Sequence, residues 1–260
     1  MLVKTKAIVL HSFKLGESRM IVDMFTCEAG RQSFVVPVPK TSKSKLKKQY
    51  FQPMTLLEIE SDLRQRLQLQ KLKEVRLLTP YSSIPFSPEK LAISLFVAEF
   101  LYHALRSEQQ NAPLFAYLCD SMQWLDIAET GFVNFHLTFL MRMSRFLGFY
   151  PNLGLTPNGL TPNPSPKREG DLRCEGDELF FDLREGRFYS TAPTHRDFLQ
   201  SNDARRIHTL MRMDFPTMHL FRLSRQERNR ITEVLLHYYR LHIAQFPELK
   251  SLDVLKELWA

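Results

Sequence analysis

The side chains best suited to chemistry lie between Lys40 and Lys48. In this stretch, KTSKSKLKK, five of nine residues are lysines and none is acidic. From Ala29 to Leu57 the only charged side chains are Arg31, Lys40, Lys43, Lys45, Lys47 and Lys48, a charge of +6 in 29 residues. Ammonium groups at this density draw polyanions across a Debye length, and a loop drapes along a phosphate backbone more readily than a rigid face does. Aromatic side chains stand nearby at Phe34, Tyr50 and Phe51. Bases of a single strand stack on exposed rings for roughly 1 to 3 kcal/mol each, while lysines follow the phosphates. Phe34 falls in an alternating run and reads as core, which leaves Tyr50 or Phe51 as the base contact. Nucleic-acid binding is the chemistry these residue types indicate. A solvated loop that guards sheet edges and keeps the domain soluble is the other reading of the same lysines.

Short β-like runs must hold that stretch. Val3 to Ser12 is aliphatic and β-branched around Ala7-Ile8-Val9-Leu10 and predicts a strand largely buried on both faces. Turn chemistry from Lys14 to Ser18 leads to a second strand at Arg19 to Thr26, and Glu28-Ala29-Gly30 returns the chain into a third at Arg31 to Val38. The third sets Phe34, Val36 and Val38 on one face and Ser33, Val35 and Pro37 on the other. A fourth covers Met54 to Glu60 and a fifth Leu72 to Leu77. The connection between the third and fourth also suits a short helix from Ser44 to Phe51, with Ser44 as its cap. Five short strands with one long connection predict a Greek-key barrel of the oligonucleotide-binding (OB) type over residues 1–80.

Composition sets the bounds. The 260 residues are 44% hydrophobic with only 9 glycines, as a folded, core-forming chain requires. The net charge of +7 is unevenly spread: residues 1–80 carry 15 Lys/Arg against 7 Asp/Glu, and the rest 20 against 21. The first third is therefore expected to meet the anion. Cys27, Cys119 and Cys174 form no CxxC pair and favour a reducing, cytoplasmic setting. The four-residue apolar run between Lys6 and His11 is too short for a signal peptide, and no run approaches the roughly 20 apolar residues of a membrane span.

Pro80 to Pro88 reads as a linker, after which residues 81–260 predict an α-helical domain, making the chain α+β. Ser87-Pro88 starts one helix, Ala112 to Ala128 forms a second, and Gly131 to Leu147 a third that is apolar nearly all round. Arg142 and Arg145 share one face of that third helix. They either reach solvent or pair with acids such as Asp120 or Asp126, or else they meet an acidic partner. Residues 151–170 form a proline-rich insert, and 178–190 predict a β-hairpin turned by Arg184-Glu185-Gly186. Asn202 to Met213 predicts a helix capped by Ser201 or Asn202. Ser224 to Ile243 predicts another, with a Ser224/Glu227 capping box and a core face of Ile231, Val234, Leu235, Tyr238 and Leu241. Arg222, Arg225, Arg228 and Arg230 gather near its start, the wrong end for the helix dipole, as a solvated end or as a site for an outside partner.

The order of these features carries a resemblance. A strand, Gly16-Glu17-Ser18, a strand ending in Phe25-Thr26, Gly30-Arg31, a strand ending near Lys40, a basic loop closing on Ser44-Lys45-Leu46, then Gln52-Pro53 and an aliphatic strand resemble the RecO family of bacterial DNA repair proteins. The resemblance covers the whole chain in domain order. It implies an N-terminal OB-fold, a helical domain and a non-catalytic recombination mediator. It also implies binding to single- and double-stranded DNA, annealing of complementary strands, a partnership with RecR, loading of RecA, and engagement of the acidic C-terminal tail of single-stranded-DNA-binding protein. On their own chemistry the DNA-binding candidates are Arg31, Lys40, Lys43, Lys45, Lys47, Lys48 and Tyr50; the resemblance implies a tail site in the helical domain without matching Arg142 and Arg145, which their charge alone nominates for it. The chain would work in the cytoplasm, at the nucleoid. Many members hold a four-cysteine zinc site beyond the third helix. Here only Cys174 is present, and with His195 recruited two ligands are still missing for tetrahedral zinc.

No Walker A, GxGxxG, GxSxG or HExxH sequence occurs, so no catalytic residue, cofactor or metal is expected. Charge alone also admits an OB-fold that binds and scaffolds RNA, since phosphates look alike to lysine.

Overall fold

The computed structural model describes residues 2–38, 47–63, 67–152 and 179–258. Two compact units form, Met1–Phe132 with Phe246–Ala260, and Val133–Gln245.

The first unit is built on a closed barrel of β1 (Leu2–Leu15), β2 (Arg19–Thr26), β3 (Gly30–Pro37), β4 (Leu56–Asp62) and β5 (Leu69–Thr79), in the order β1-β2-β3-β5-β4. β1 makes closure possible by serving two partners: Leu2 to Ile8 pairs with β4, and Ala7 to Leu15 pairs with β2. A register shift between Val9 and His11 bends the strand between these two roles, as a bulge does. The parallel pairing of Ser33, Phe34 and Val35 with Leu69, Gln70 and Lys71 shuts the barrel. This is the OB topology predicted. Its interior holds Ala7, Val9, Met20, Val22, Met24, Phe34, Val36, Leu57 and Ile59, alternate residues of β1 to β4, with Leu72, Val75 and Leu77 of β5 partly buried against them.

Phe51 joins that core at 1% exposure, so it is no base contact. It arrives there at the end of a short 3-10 turn, Lys48–Phe51, which starts after Lys47; the proposed Ser44 cap lies outside the described residues. Removing a phenylalanine from water stabilises by about 2 kcal/mol, which fastens the returning connection to the barrel.

Asp126 fixes the passage from barrel to helices. It ends the second helix, α2 (Ala112–Ile127), and accepts the amides of Ser82, Ser83 and Ile84 at 2.7, 2.8 and 2.9 Å. The first helix, α1 (Pro88–Ala104), starts as predicted, with Ser87 as cap and proline at its first position. Lys90 is buried on it, and its Nζ donates to Ser83 Oγ at 2.6 Å and to the Asp126 carbonyl at 3.0 Å. The last helix, α6 (Ser251–Glu257), also packs on α1, where Glu99 accepts the amides of Lys250 and Ser251.

The second unit centres on α3 (Phe135–Phe146), buried along most of its length and packed against α4 (Ser201–Met211) and α5 (Arg225–His242). The hairpin is present as β6 (Phe180–Asp182) and β7 (Arg187–Tyr189), and β8 (Phe198–Leu199) adds a third strand. Two details differ from the sequence reading. α4 has Gln200 at its cap position, because Ser201 Oγ instead accepts the Leu179 amide. α5 keeps its Ser224/Glu227 capping box but turns Thr232, Leu236 and Tyr239 inward and leaves Leu241 exposed. Tyr239 decides that rotation, being fully buried with its hydroxyl donating to the Leu140 carbonyl at 2.7 Å.

Candidate nucleic-acid interface

Cross-strand partners project on the same side of a sheet, so pairing registers identify the outer face of the barrel. With Met20, Val22, Phe34 and Val36 inside, the row Phe13–Ile21–Val35–Lys71 faces out. The neighbouring row is Leu15–Arg19–Pro37. Phe13 and Leu15 are 42% and 46% exposed, and Arg19 and Lys71 are exposed beside them. An open aromatic and aliphatic strip edged by cations can stack bases and hold their phosphates.

Both ends of the lysine-rich connection are tied to the same end of the barrel. The Val38 amide donates to the Ser18 carbonyl at 2.9 Å, and Ser12 Oγ donates to the Phe51 carbonyl at 2.8 Å. Lys47 and Lys48 are exposed at the returning end. Tyr50 is half-buried and packs against the barrel core. Lys40, Lys43 and Lys45 lie outside the described residues.

Arg31 stands apart from the lysines. Its Nη2 lies 3.4 Å from Asp23, its Nη1 donates to the Tyr102 carbonyl at 3.4 Å, and its guanidinium covers the Tyr102 ring at 4.7 Å. Only 12% of the side chain is exposed. Burial lowers its pKa, with Asp23 and Tyr102 opposing, and its charge is met at close range by the Asp23 carboxylate. Gly30 makes this approach possible: its φ is +63°, and a Cβ there would lie 2.5 Å from the Glu108 carbonyl oxygen. The Arg31 amide donates to that same oxygen at 3.0 Å, which pins the start of β3 to the chain leaving α1.

Phe13 is the exposed ring that sequence reasoning missed. In β1 the inward residues Ala7 and Val9 are odd-numbered, but the shift between Val9 and His11 reverses the alternation, and Phe13 and Leu15 turn outward. The signal available was a phenylalanine and a leucine among polar neighbours, Ser12, Lys14 and Gly16.

Comparison with known proteins covers nearly the whole chain. Recombination protein O N terminal matches residues 1–81, and Recombination protein O C terminal matches residues 85–253. The chain belongs to the RecO family. Its relatives include the DNA repair protein RecO of Phocaeicola vulgatus and of Bacteroides fragilis, each 47% identical over 100% of both chains. The DNA repair protein RecO of Flavobacterium psychrophilum is 33% identical with the same coverage. RecO membership makes this a DNA repair and recombination protein and identifies its barrel as the family's OB-fold.

In the second unit of this RecO-family chain, Arg142 and Arg145 both make contacts within the unit. Arg142 Nη2 donates to the Met213 carbonyl at 3.3 Å and lies 4.0 Å from Asp214. The Arg145 guanidinium covers the Tyr150 ring at 4.2 Å and remains exposed. Arg230 near the start of α5 is held by Asp203, which Arg206 also pairs, so part of that cluster is balanced within the fold. His195 Nε2 bonds Asp182 at 2.9 Å, and the Asp197 amide donates to its Nδ1 at 3.2 Å, so both ring nitrogens serve the small sheet. Cys174 lies outside the described residues. Among the described residues no group of three or more His, Cys, Asp or Glu side chains could hold a metal ion, and no helix is long and apolar enough to cross a membrane.

Proposed function

We propose that the chain is a non-catalytic recombination mediator that binds single-stranded DNA, anneals complementary strands and helps load RecA onto DNA coated by single-stranded-DNA-binding protein. The observation that carries this reading is the open strip of Phe13, Leu15, Ile21 and Val35, edged by Arg19 and Lys71, at the barrel end where the lysine-rich connection leaves and returns. Lys40, Lys43, Lys45, Lys47 and Lys48 would neutralise phosphates, and Phe13, with Tyr50 at the edge of the core, would receive bases. Bases held on one face with their pairing edges outward are available to a complementary strand, whereas bases buried on all sides are not.

In the same reading, Arg142 and Arg145 meet the acidic tail of single-stranded-DNA-binding protein. Guanidinium groups suit carboxylates because they donate in a planar fork. RecR joins as the partner in RecA loading, and the site of action is the cytoplasmic nucleoid. A strand-annealing assay tests this: complementary oligonucleotides coated with single-stranded-DNA-binding protein, with and without its acidic tail. Annealing that is accelerated, and weaker without the tail, is the expected result. No acceleration on either substrate, or stronger competition by structured RNA than by single-stranded DNA, would overturn the proposal in favour of an RNA scaffold.

A further inference from the structure

Beside the open strip, the barrel carries a cleft of about 480 Å³ that the reading above leaves unused. It is lined by Asp23, Arg31, Gln32, Ser33, Leu67, Gln68, Tyr102 and Arg106. Its floor is two residues along the strands from the strip, since Asp23 pairs with Ser33 and Ser33 with Leu69, alongside the Ile21–Val35–Lys71 row. One wall comes from Tyr102 on α1 and Arg106 just beyond it; the other comes from Leu67 and Gln68, where the chain enters β5.

We infer that this cleft takes one unstacked nucleobase from the bound strand. The inference rests on the proposed binding of single-stranded DNA and assigns a base site within it. The chemistry of the lining separates a base from a phosphate. Among the described residues Arg31 is the one buried cation of the floor, and its charge is met by Asp23, which also accepts from Ser33 Oγ. A phosphate placed there would face the Asp23 carboxylate with no free buried cation among the described residues to offset it. A base is neutral and carries donors and acceptors along one edge, and the lining offers both kinds. Gln32 donates through Nε2 to the Ala29 carbonyl at 2.9 Å, which leaves its Oε1 as an acceptor. The Gln68 amide supplies a donor and an acceptor. Leu67 provides an apolar cover, and exposed Arg106 at the rim can meet the phosphate of the inserted nucleotide. One base held this way would anchor the strand while its neighbours lie open on the Phe13 strip.

The test uses the full-length protein and a thymidine oligonucleotide with 5-iododeoxyuridine at every position, irradiated and mapped by mass spectrometry. Adducts at Tyr102 or residues 67–68, in addition to any at Phe13, are expected. A Gln32→Ala, Gln68→Ala variant should lose about fivefold or more of the Tyr102 and 67–68 adducts, the effect of about 1 kcal/mol of lost hydrogen bonding. Its salt dependence of binding should match the parent's, since no charge is removed. A Tyr102→Phe variant, which keeps the ring, checks that adduct loss follows the glutamines rather than a collapsed cleft. Adducts confined to Phe13 or the lysine connection, or an unchanged yield in the double variant, would overturn the base site and leave the binding proposal standing. Failure of the parent protein to bind the oligonucleotide would remove both.

Discussion

Asp126 offers the most quantitative test of how the fold positions the interface, because one carboxylate holds the linker that delivers α1, and with it Tyr102, to the barrel. It accepts the amides of Ser82, Ser83 and Ile84 and the Ser82 hydroxyl at 2.7, 2.8, 2.9 and 2.9 Å. Asp126→Ala orphans all four donors. A buried donor without a partner costs about 1 to 3 kcal/mol. Ser82 is exposed and regains water, whereas Ile84 is 3% exposed and does not, with Ser83 between them. The expected loss is therefore about 3 kcal/mol for Asp126→Ala, and about half that for Asp126→Asn, which keeps one acceptor oxygen. Burial alone would raise the Asp126 pKa, but the three amides and the Ser82 hydroxyl outweigh it and hold the pKa below the ordinary carboxylate range. A depressed folded pKa means that this stabilisation is complete above the unfolded value of about 3.9 and disappears as pH falls through the folded one. Urea unfolding followed by circular dichroism, repeated from pH 7 down to acid, measures both effects, and hydrogen exchange at residues 82–84 locates them. A loss below about 1 kcal/mol for Asp126→Ala, or equal losses for the two variants, would refute the reasoning.

Replacing Lys40, Lys43, Lys45, Lys47 and Lys48 with glutamine should flatten the log-log salt slope of single-strand binding by about 3 to 4, at about 0.7 per neutralised phosphate, in fluorescence anisotropy titrations. Phe13→Ala should weaken binding by about 1 to 3 kcal/mol with no change in that slope. Glu99→Gln should loosen α6 by about 1 to 2 kcal/mol and speed hydrogen exchange at residues 250–257, since an amide oxygen accepts less strongly than a carboxylate. Burial opposes the charge of Glu99, but the Ser251 hydroxyl and the Ser251 and Lys250 amides hold its pKa below the usual range, so the parent should lose this contribution as acid protonates it and the variant should not. Gly30→Ala should cost more than about 2 kcal/mol in thermal unfolding, because the left-handed backbone alone costs about 1 to 2 and the new methyl must displace the Glu108 carbonyl.

The barrel was legible because its strands alternate and its turns carry glycine, and alternation is a physical requirement of a sheet with one dry face. The errors arose where a distant contact overrode a local pattern. Phe51 reads as an aromatic next to a basic loop, yet its place is set by the core it closes, which it shares with Ala7, Val9, Met20 and Val22, distant from it in sequence. Phe13 reads as the tail of a strand, and only a register shift three residues earlier sends it outward. Arg31 belongs by sequence to the same acid-free stretch as the lysines. Asp23, eight residues before it on the neighbouring strand, and Tyr102 on α1 hold it in the floor of the cleft, apart from the lysines. The rotation of α5 was hidden for a similar reason: Leu241 and Tyr239 are both apolar enough for a core, and the acceptor at Leu140 selects the tyrosine.

Charge shows the same dependence on where the chain is cut. The near balance of residues 81–260 averages an acidic stretch, 81–132, with 2 Lys/Arg against 6 Asp/Glu, and a basic second unit, 133–245, with 16 against 12. The kind of cation differs as well. Fifteen of the 16 in the second unit are arginines, whereas the connection at 40–48 uses only lysine. Arginine's planar fork suits fixed partners, and the second unit uses it so: Arg230 and Arg206 share Asp203, Arg206 also takes Glu227, and Arg184 takes Asp197. Lysine is a strongly hydrated point charge on a flexible stem, suited to a phosphate backbone whose position changes as strands are exchanged. Annealing needs a strand to be held and then released to its complement. In the proposed annealing role, a salt-sensitive grip by lysines would meet that need better than a lattice of bidentate arginines, and the affinity for DNA and its reversibility would then trace to the same choice of side chain.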